Sequence, residues 1–115
     1  MIYKILIIAG LDNLTENHIS VLKSAGYEII ISKNYDEGLR ILKKLKSNEI
    51  GIIIMDVNIR NSSGMDFINE VKKSEYKNVP ILVLAEEENE SQKLDGQQAG
   101  ASGWLVKPFS PEQLL

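Results

Sequence analysis

The chain has 115 residues, and its 16 acidic side chains against 13 Lys and Arg leave a formal net charge of −3, which argues against binding nucleic acid through a basic face. This length indicates one domain with one core, and 43% apolar with 25% charged residues excludes disordered, collagen-like and coiled-coil classes. The absence of cysteine and the single histidine exclude disulfide frameworks, thiolate metal sites, a cysteine nucleophile and multi-histidine metal sites.

Five short runs of Ile, Val and Leu predict β-strands, and none approaches the length of a membrane span. The runs mostly lack polar alternation, which is typical of strands covered on both faces. In chain order they span residues 5–9, 29–31, 50–55, 81–85 and 104–106. Because no signal peptide opens the chain, we expect a cytoplasmic protein.

Helical spacing fills the segments between these runs. The apolar stripes are Leu14, His18, Val21, Leu22 and Ala25; Leu39, Leu42 and Leu45; Met65, Phe67, Ile68 and Val71; and a weaker one of Leu94 and Ala99. His18 is interpreted as a boundary histidine of the inner stripe. Gly96 weakens the fourth helix by about 1 kcal/mol relative to alanine, so we expect this face to be plastic. A fifth helix is predicted after Pro108, with Ser110 as its cap.

Strands and helices therefore alternate five times with short connections, which predicts a doubly wound α/β domain over residues 1–115. In such sheets ligands bind at the carboxyl ends of the strands. The residues expected there are Ala9, Gly10, Asp56, Ala85 and Lys107. Taken alone, Asp56 could be a turn or helix cap and Lys107 a surface lysine. Together at one sheet edge they indicate a functional site.

Several segments resemble the receiver domain of two-component response regulators, and the resemblance covers essentially the whole chain in the family's order. The matching segments are residues 4–8, 54–58, 64–66, 79–84 and the most specific one, 99–109. The resemblance implies a five-stranded parallel sheet in flavodoxin-like order 2-1-3-4-5 with five helices. Since the last helix is cut short at Leu115, we expect this domain to be the N-terminal part of a longer protein.

The resemblance also implies roles for individual residues. Asp56 lies at the position of the phospho-accepting aspartate, and Lys107 at that of the lysine that neutralises the phosphoryl oxygens. Asn58 matches the position whose backbone carbonyl, with Asp56, binds the expected cofactor Mg²⁺. Trp104 matches the Tyr or Phe that reorients on activation, and we expect it to be half-buried.

The sequence departs from the family pattern where the chemistry is concentrated. Ala9 and Gly10 replace the acidic pair that holds Mg²⁺, Ala85 replaces the Thr or Ser that hydrogen-bonds the phosphoryl group, and Arg60 replaces a proline. Mg²⁺ takes about six oxygen ligands and binds proteins mainly through carboxylates. The metal offsets the repulsion between the carboxylate and the incoming phosphoryl oxygens. We therefore expect weak or absent Mg²⁺ binding and a disabled switch.

Two further acidic residues could compensate in part. Asp12 could supply one carboxylate, although the preferred interpretation is a helix N-cap. Glu86 could pair with Lys107 and imitate a phosphorylated site, although the acidic run over 86–90 is more typical of a solvated loop.

The function predicted is a receiver module of phosphorelay signalling, not an enzyme, that acts as a phosphorylation-independent interaction module through the face around Trp104. Its expected partners are a histidine kinase or an output domain or protein. No direct contact with nucleic acid or a membrane is expected, and a homodimer is a further alternative. Two alternatives remain. One is a slow but functional receiver that is phosphorylated on Asp56, and the other is a small-ligand binder in the pocket vacated at Ala9, Gly10 and Ala85.

Overall fold

The structure is a computed structural model that describes residues 3–8, 16–56, 58–59, 62–85 and 90–106. Its strands are β1 (Lys4–Ile8), β2 (Glu28–Ser32), β3 (Ile50–Asp56), β4 (Asn58–Ile59), β5 (Ser62–Ser63), β6 (Ile81–Ala85) and β7 (Gly103–Val106). Its helices are α1 (Glu16–Ser24), α2 (Tyr35–Lys43), α3 (Met65–Lys72) and α4 (Glu90–Ala99), with a 3₁₀ turn at Ser47–Glu49. The predicted fifth helix lies outside the described residues.

Five parallel strands form one sheet in the order β2-β1-β3-β6-β7. Counted among these five alone, this is the predicted order 2-1-3-4-5, which is therefore confirmed. The strands β4 and β5 were not predicted from the sequence. Each has two residues, and together they form a separate antiparallel ladder in which Asn58 pairs with Ser63. This short ladder follows β3 directly, so it lies beside the carboxyl end of the central strand.

The core has two layers, one on each face of the sheet. The central strand β3 shows this best, because Ile53 and Ile54 point to opposite faces and both are fully buried. One layer joins the sheet to α2, α3 and α4, and its buried members include Leu6, Ile8, Ile53, Met55, Leu42, Phe67, Ile68, Val71, Ile81 and Val83. The other lies on the side of α1 and contains Ile5, Ile7, Leu22, Ile54 and Leu84. The predicted cover on both faces is thus confirmed for β3.

The helical stripes agree with the structure in the second and third helices, where Leu42, Phe67, Ile68 and Val71 are buried. In the first, Ala25 is exposed because α1 ends at Ser24 and Gly26, with φ of +98°, turns the chain out of the helix. The side chains of Leu14 and His18 lie outside the described residues.

The stripe predicted for the fourth helix is wrong at Leu94, whose side chain is 54% exposed. Among the residues of α4 whose burial is described, 93–99, the buried one is Gly96. Positions two apart in a helix lie about 200° apart around its axis, so a helix that packs through Gly96 turns Leu94 to solvent. In the part of the chain that the structure describes, no helix has the length and apolar character needed to cross a membrane.

Candidate functional site

Asp56 is the last residue of the central strand, and the sheet places it at the carboxyl edge, as the sequence predicts. It pairs with Leu84 of β6 in the parallel register. Only 1% of its surface is exposed, so the protein buries a carboxyl group at this edge. Burial of an ionisable group costs free energy unless neighbouring groups pair with it or hydrogen-bond to it, and such groups are common at functional sites. We therefore build the candidate site from Asp56.

Ala85 ends the neighbouring strand β6, one residue beyond the partner of Asp56. It is 3% exposed and belongs to the core layer on the side of α2, α3 and α4. The edge next to Asp56 is therefore formed by a methyl group with no hydrogen-bonding capacity at this position. The other residues predicted for this edge, Ala9, Gly10, Asp12, Glu86 and Lys107, lie outside the described residues. Their convergence with Asp56 stays a prediction.

A residue that the sequence analysis missed, Tyr35, contacts Asp56 directly. Its hydroxyl donates a hydrogen bond to the main-chain oxygen of Asp56, with 2.7 Å between the two oxygens. Its ring lies beside Phe67 of α3, with 5.8 Å between the ring centroids. Tyr35 thereby joins the start of α2, the end of β3 and the first turn of α3 at one point.

The local sequence places Tyr35 at the first position of α2. The buried Ser32 hydroxyl donates to the main-chain oxygen of Asn34 at 2.7 Å. The side-chain oxygen of Asn34 then accepts the N–H of Glu37 at 2.8 Å, which caps the helix. The sequence contained a signal for Tyr35, because this residue closely follows the second strand. The predicted site used the carboxyl ends of the other four strands and left out the end of the second.

Tyr35 reaches the central strand because α2 lies close to the end of β1. A Cβ at Gly38 would come within 2.5 Å of the Ile8 side chain, so only glycine permits this approach without displacement. Burial raises the pKa of the Tyr35 phenol well above its ordinary value, and the negative charge of Asp56 raises this pKa further. The hydroxyl therefore stays protonated, and remains a donor to the Asp56 carbonyl, to a higher pH than an ordinary tyrosine hydroxyl.

Trp104 is the second residue of β7 and lies opposite Val83. It is half-buried, as predicted, and packs against the same core layer that contains Ala85. Its indole nitrogen is buried, and no described residue accepts a hydrogen bond from it. The aromatic ring therefore lies on the face formed with α3 and α4, not at the carboxyl edge itself.

For a metal ion the described residues offer little. Among them, no group of three or more acidic or histidine side chains could hold a metal. Asp56 contributes one carboxylate, and Asn58, the other predicted ligand, begins β4 two residues later. Positions 9 and 10, where the resemblance leads us to expect the acidic pair of such a site, are alanine and glycine.

Comparison with known proteins identifies the family of the chain. The family model described as the response regulator receiver domain matches residues 5–115. The chain belongs to this family. Receiver domains are signalling modules of two-component systems that interact with histidine kinases and output domains, and the family generally binds Mg²⁺.

Relatives of this receiver domain include chains of similar and of greater length. The uncharacterized transcriptional regulatory protein YrkP of Bacillus subtilis is 32% identical over 99% of the chain, which spans only 47% of YrkP. Chemotaxis protein CheY-3 of Vibrio cholerae is 28% identical over 96% of the chain and 85% of CheY-3. The solved structure of chemotaxis response regulator CheY4 of Vibrio cholerae superposes with a TM-score of 0.85 at 35% identity, covering 99% of this chain and 93% of CheY4.

Proposed function

We propose that this receiver domain is a protein-interaction module whose state does not depend on phosphorylation of Asp56. The observation that carries the proposal is the buried methyl group of Ala85 at the carboxyl edge, one strand from Asp56. A phosphoryl group on Asp56 would need a hydroxyl or another donor at this position to be linked to the Trp104 face. Alanine supplies none, so the chemical state of Asp56 is not transmitted along this route.

The composition of the edge also argues against efficient phosphoryl transfer. Transfer to a carboxylate brings negative oxygens together, and a divalent metal normally offsets their repulsion. With alanine and glycine at positions 9 and 10, Asp56 and the Asn58 carbonyl are the protein ligands left by the family pattern. Water would have to fill the remaining places, so we propose that Mg²⁺ binds weakly or not at all.

The partners of such a module are a histidine kinase or an output domain or protein, bound through the face around Trp104. Half-buried aromatic rings suit this role because they supply a large apolar surface at small entropic cost on binding. A homodimer through the same face would bury the same apolar surface. We propose no direct contact with nucleic acid, because the net charge is −3.

A second candidate function is slow phosphorylation of Asp56, and the position of this residue favours it. Asp56 is buried at the carboxyl edge, and its main chain is held by Tyr35. Lys107, if it lies near Asp56, would neutralise the phosphoryl oxygens in this candidate.

Incubation with acetyl phosphate and Mg²⁺, followed by intact mass measurement, separates the two candidates. We expect the mass of the original sequence to stay unchanged, as it must in Asp56→Asn. A variant that carries Ala9→Asp, Gly10→Asp and Ala85→Thr is the positive control and should gain one phosphoryl group. A stoichiometric gain in the original sequence that disappears in Asp56→Asn would contradict the proposed function and establish the second candidate.

A further inference from the structure

Helix α4 contacts the Trp104 ring through a glycine. A Cβ placed at Gly96 would lie 2.7 Å from Cζ3 and 3.3 Å from Cε3 of the indole. The first of these distances is shorter than real Cβ contacts, so no other residue fits at position 96 while the ring stays where it is. The Cε methyl group of Met65 on α3 also lies near this point, 3.7 Å from it.

The backbone gives no reason for a glycine at position 96. The described glycines with positive φ are Gly26 and Gly100, whereas Gly96 lies inside α4. Glycine in a helix interior is less favourable than alanine, so Gly96 lowers the stability of the helix although its backbone conformation does not require glycine. What the missing side chain provides is space, and the indole of Trp104 occupies it.

The indole is held by shape and not by a hydrogen bond. Its Nε1 is buried with no acceptor among the described residues, which is unfavourable because water would satisfy this group in an outward orientation. The inward orientation therefore depends on the packing of the ring against α4 at Gly96. Any side chain at position 96 would remove this packing and favour the hydrated orientation.

We propose that Gly96 is a positioning residue that holds the Trp104 indole against α4, so that α4 packing, and not the chemical state of Asp56, determines how this face is presented. The inference rests on the proposed use of the Trp104 face as a docking surface, but it concerns how the orientation of the ring is set. It assigns to Gly96 a role in the interaction surface that its size alone explains.

Trp104 is the single tryptophan, so its fluorescence and its indole N–H signal report the ring directly. In Gly96→Ala we expect a red shift of the emission, stronger quenching by acrylamide and a shifted indole N–H resonance. Gln97→Ala is the matched control, because Gln97 is an exposed neighbour on the same helix, and it should leave all three signals unchanged. Equal signals in Gly96→Ala and the original sequence would overturn the proposal.

Urea unfolding followed by circular dichroism tests the size relation between the two residues. With Trp104 present, Gly96→Ala should lower the unfolding midpoint. In a Trp104→Phe background the smaller ring leaves room, and the same substitution should raise the midpoint because alanine favours the helix. If Gly96→Ala unfolds the protein and Trp104→Phe restores folding, the proposal is supported. An effect of the same sign and size in both backgrounds, or no folding in either, would overturn it.

The final comparison concerns Asp56. We expect the Trp104 emission to be the same in the original sequence, in Asp56→Asn and after treatment with acetyl phosphate and Mg²⁺. An emission change that follows a mass gain on Asp56, with Gly96 intact, would overturn the inference. A mass gain with constant emission would contradict the proposed function alone, so the failures of the two proposals are distinguishable.

Discussion

Tyr35 is the residue that connects the candidate site to its surroundings most directly. Its phenol donates to the backbone of Asp56 across 21 residues of sequence. Because this bond uses the main-chain oxygen, it holds the end of β3 in place without consuming the Asp56 carboxylate. The ring lies beside Phe67, and the burial of the phenol is the main cause of its raised pKa.

We expect Tyr35→Phe to lower the free energy of unfolding by about 1 kcal/mol near neutral pH, since it removes one hydrogen bond in a partly buried place. The pH dependence has a defined sign. A phenol whose pKa is raised by folding stabilises the folded state fully below its unfolded pKa of about 10, and this contribution is lost as the pH rises above that value. The stabilities of the original sequence and Tyr35→Phe should therefore converge above pH 10.

Urea unfolding between neutral pH and pH 11 measures this convergence, where 11 is about one unit above the ordinary phenol pKa. Tyr27→Phe, which removes the hydroxyl of an exposed tyrosine, controls for the loss of a hydroxyl as such. A difference between the original sequence and Tyr35→Phe that stays constant or grows with pH would contradict a stabilising role of the protonated Tyr35 hydroxyl.

Helix α2 shows how a single element carries the site. Its first turn is capped by Asn34. At its other end, the hydroxyl of Tyr76 lies within hydrogen-bonding reach of the main-chain oxygens of Leu42 in the last turn and of Leu45 just beyond the helix. A helix leaves its last four carbonyl groups without partners inside the helix, so a buried donor there stabilises the end. Tyr35 at the other end is held in position by the same helix.

We expect Tyr76→Phe to destabilise the protein by about 1–2 kcal/mol, because the main-chain oxygens of Leu42 and Leu45 lose the one hydroxyl that lies within hydrogen-bonding reach of both. The measurement is the free energy of unfolding in urea, with the slope against urea unchanged, since the extent of unfolding stays the same. Tyr3→Phe is the control, because the Tyr3 side chain is exposed. A loss of stability no larger than that of Tyr3→Phe would show that Tyr76 does not support the end of α2.

At the scale of the whole molecule, the positions of the carboxylates determine whether this net acidic chain can hold a metal ion. The sequence has 16 acidic residues, yet positions 9 and 10 carry none. Within the ranges that the structure describes, acidic side chains do not gather into a metal-binding group. The described part of the domain has the fold of its family, and Asp56 is the acidic residue that it places at the end of the central strand.

This distribution predicts that Mg²⁺ hardly stabilises the domain. A ligand that binds only the folded state adds RT ln(1 + [L]/Kd), so about 10 mM Mg²⁺ with a Kd at or above that concentration adds at most about 0.4 kcal/mol. Thermal unfolding with MgCl₂, compared with NaCl at equal ionic strength, measures this gain. Ala9→Asp with Gly10→Asp should enlarge it. An equally large gain in the original sequence would contradict weak binding.

Much of the fold could be predicted from consecutive residues. Unbroken apolar runs indicated parallel strands covered on both faces, and Ile53 and Ile54 are both buried in β3 for this reason. The alternation of strands and helices limited the topology to a doubly wound sheet, which also placed Asp56 and Ala85 at the carboxyl edge. These properties follow from local periodicity and from the chirality of strand connections.

Tertiary structure alone decided which side chains meet. The contact of Tyr35 with Asp56, the place of Gly96 beneath Trp104 and the exposure of Leu94 were not predicted. Each depends on the rotation of a helix about its own axis and on its distance from the sheet. Those two quantities are set by the packing of side chains from segments far apart in sequence, and a periodic pattern as weak as that of α4 does not specify them.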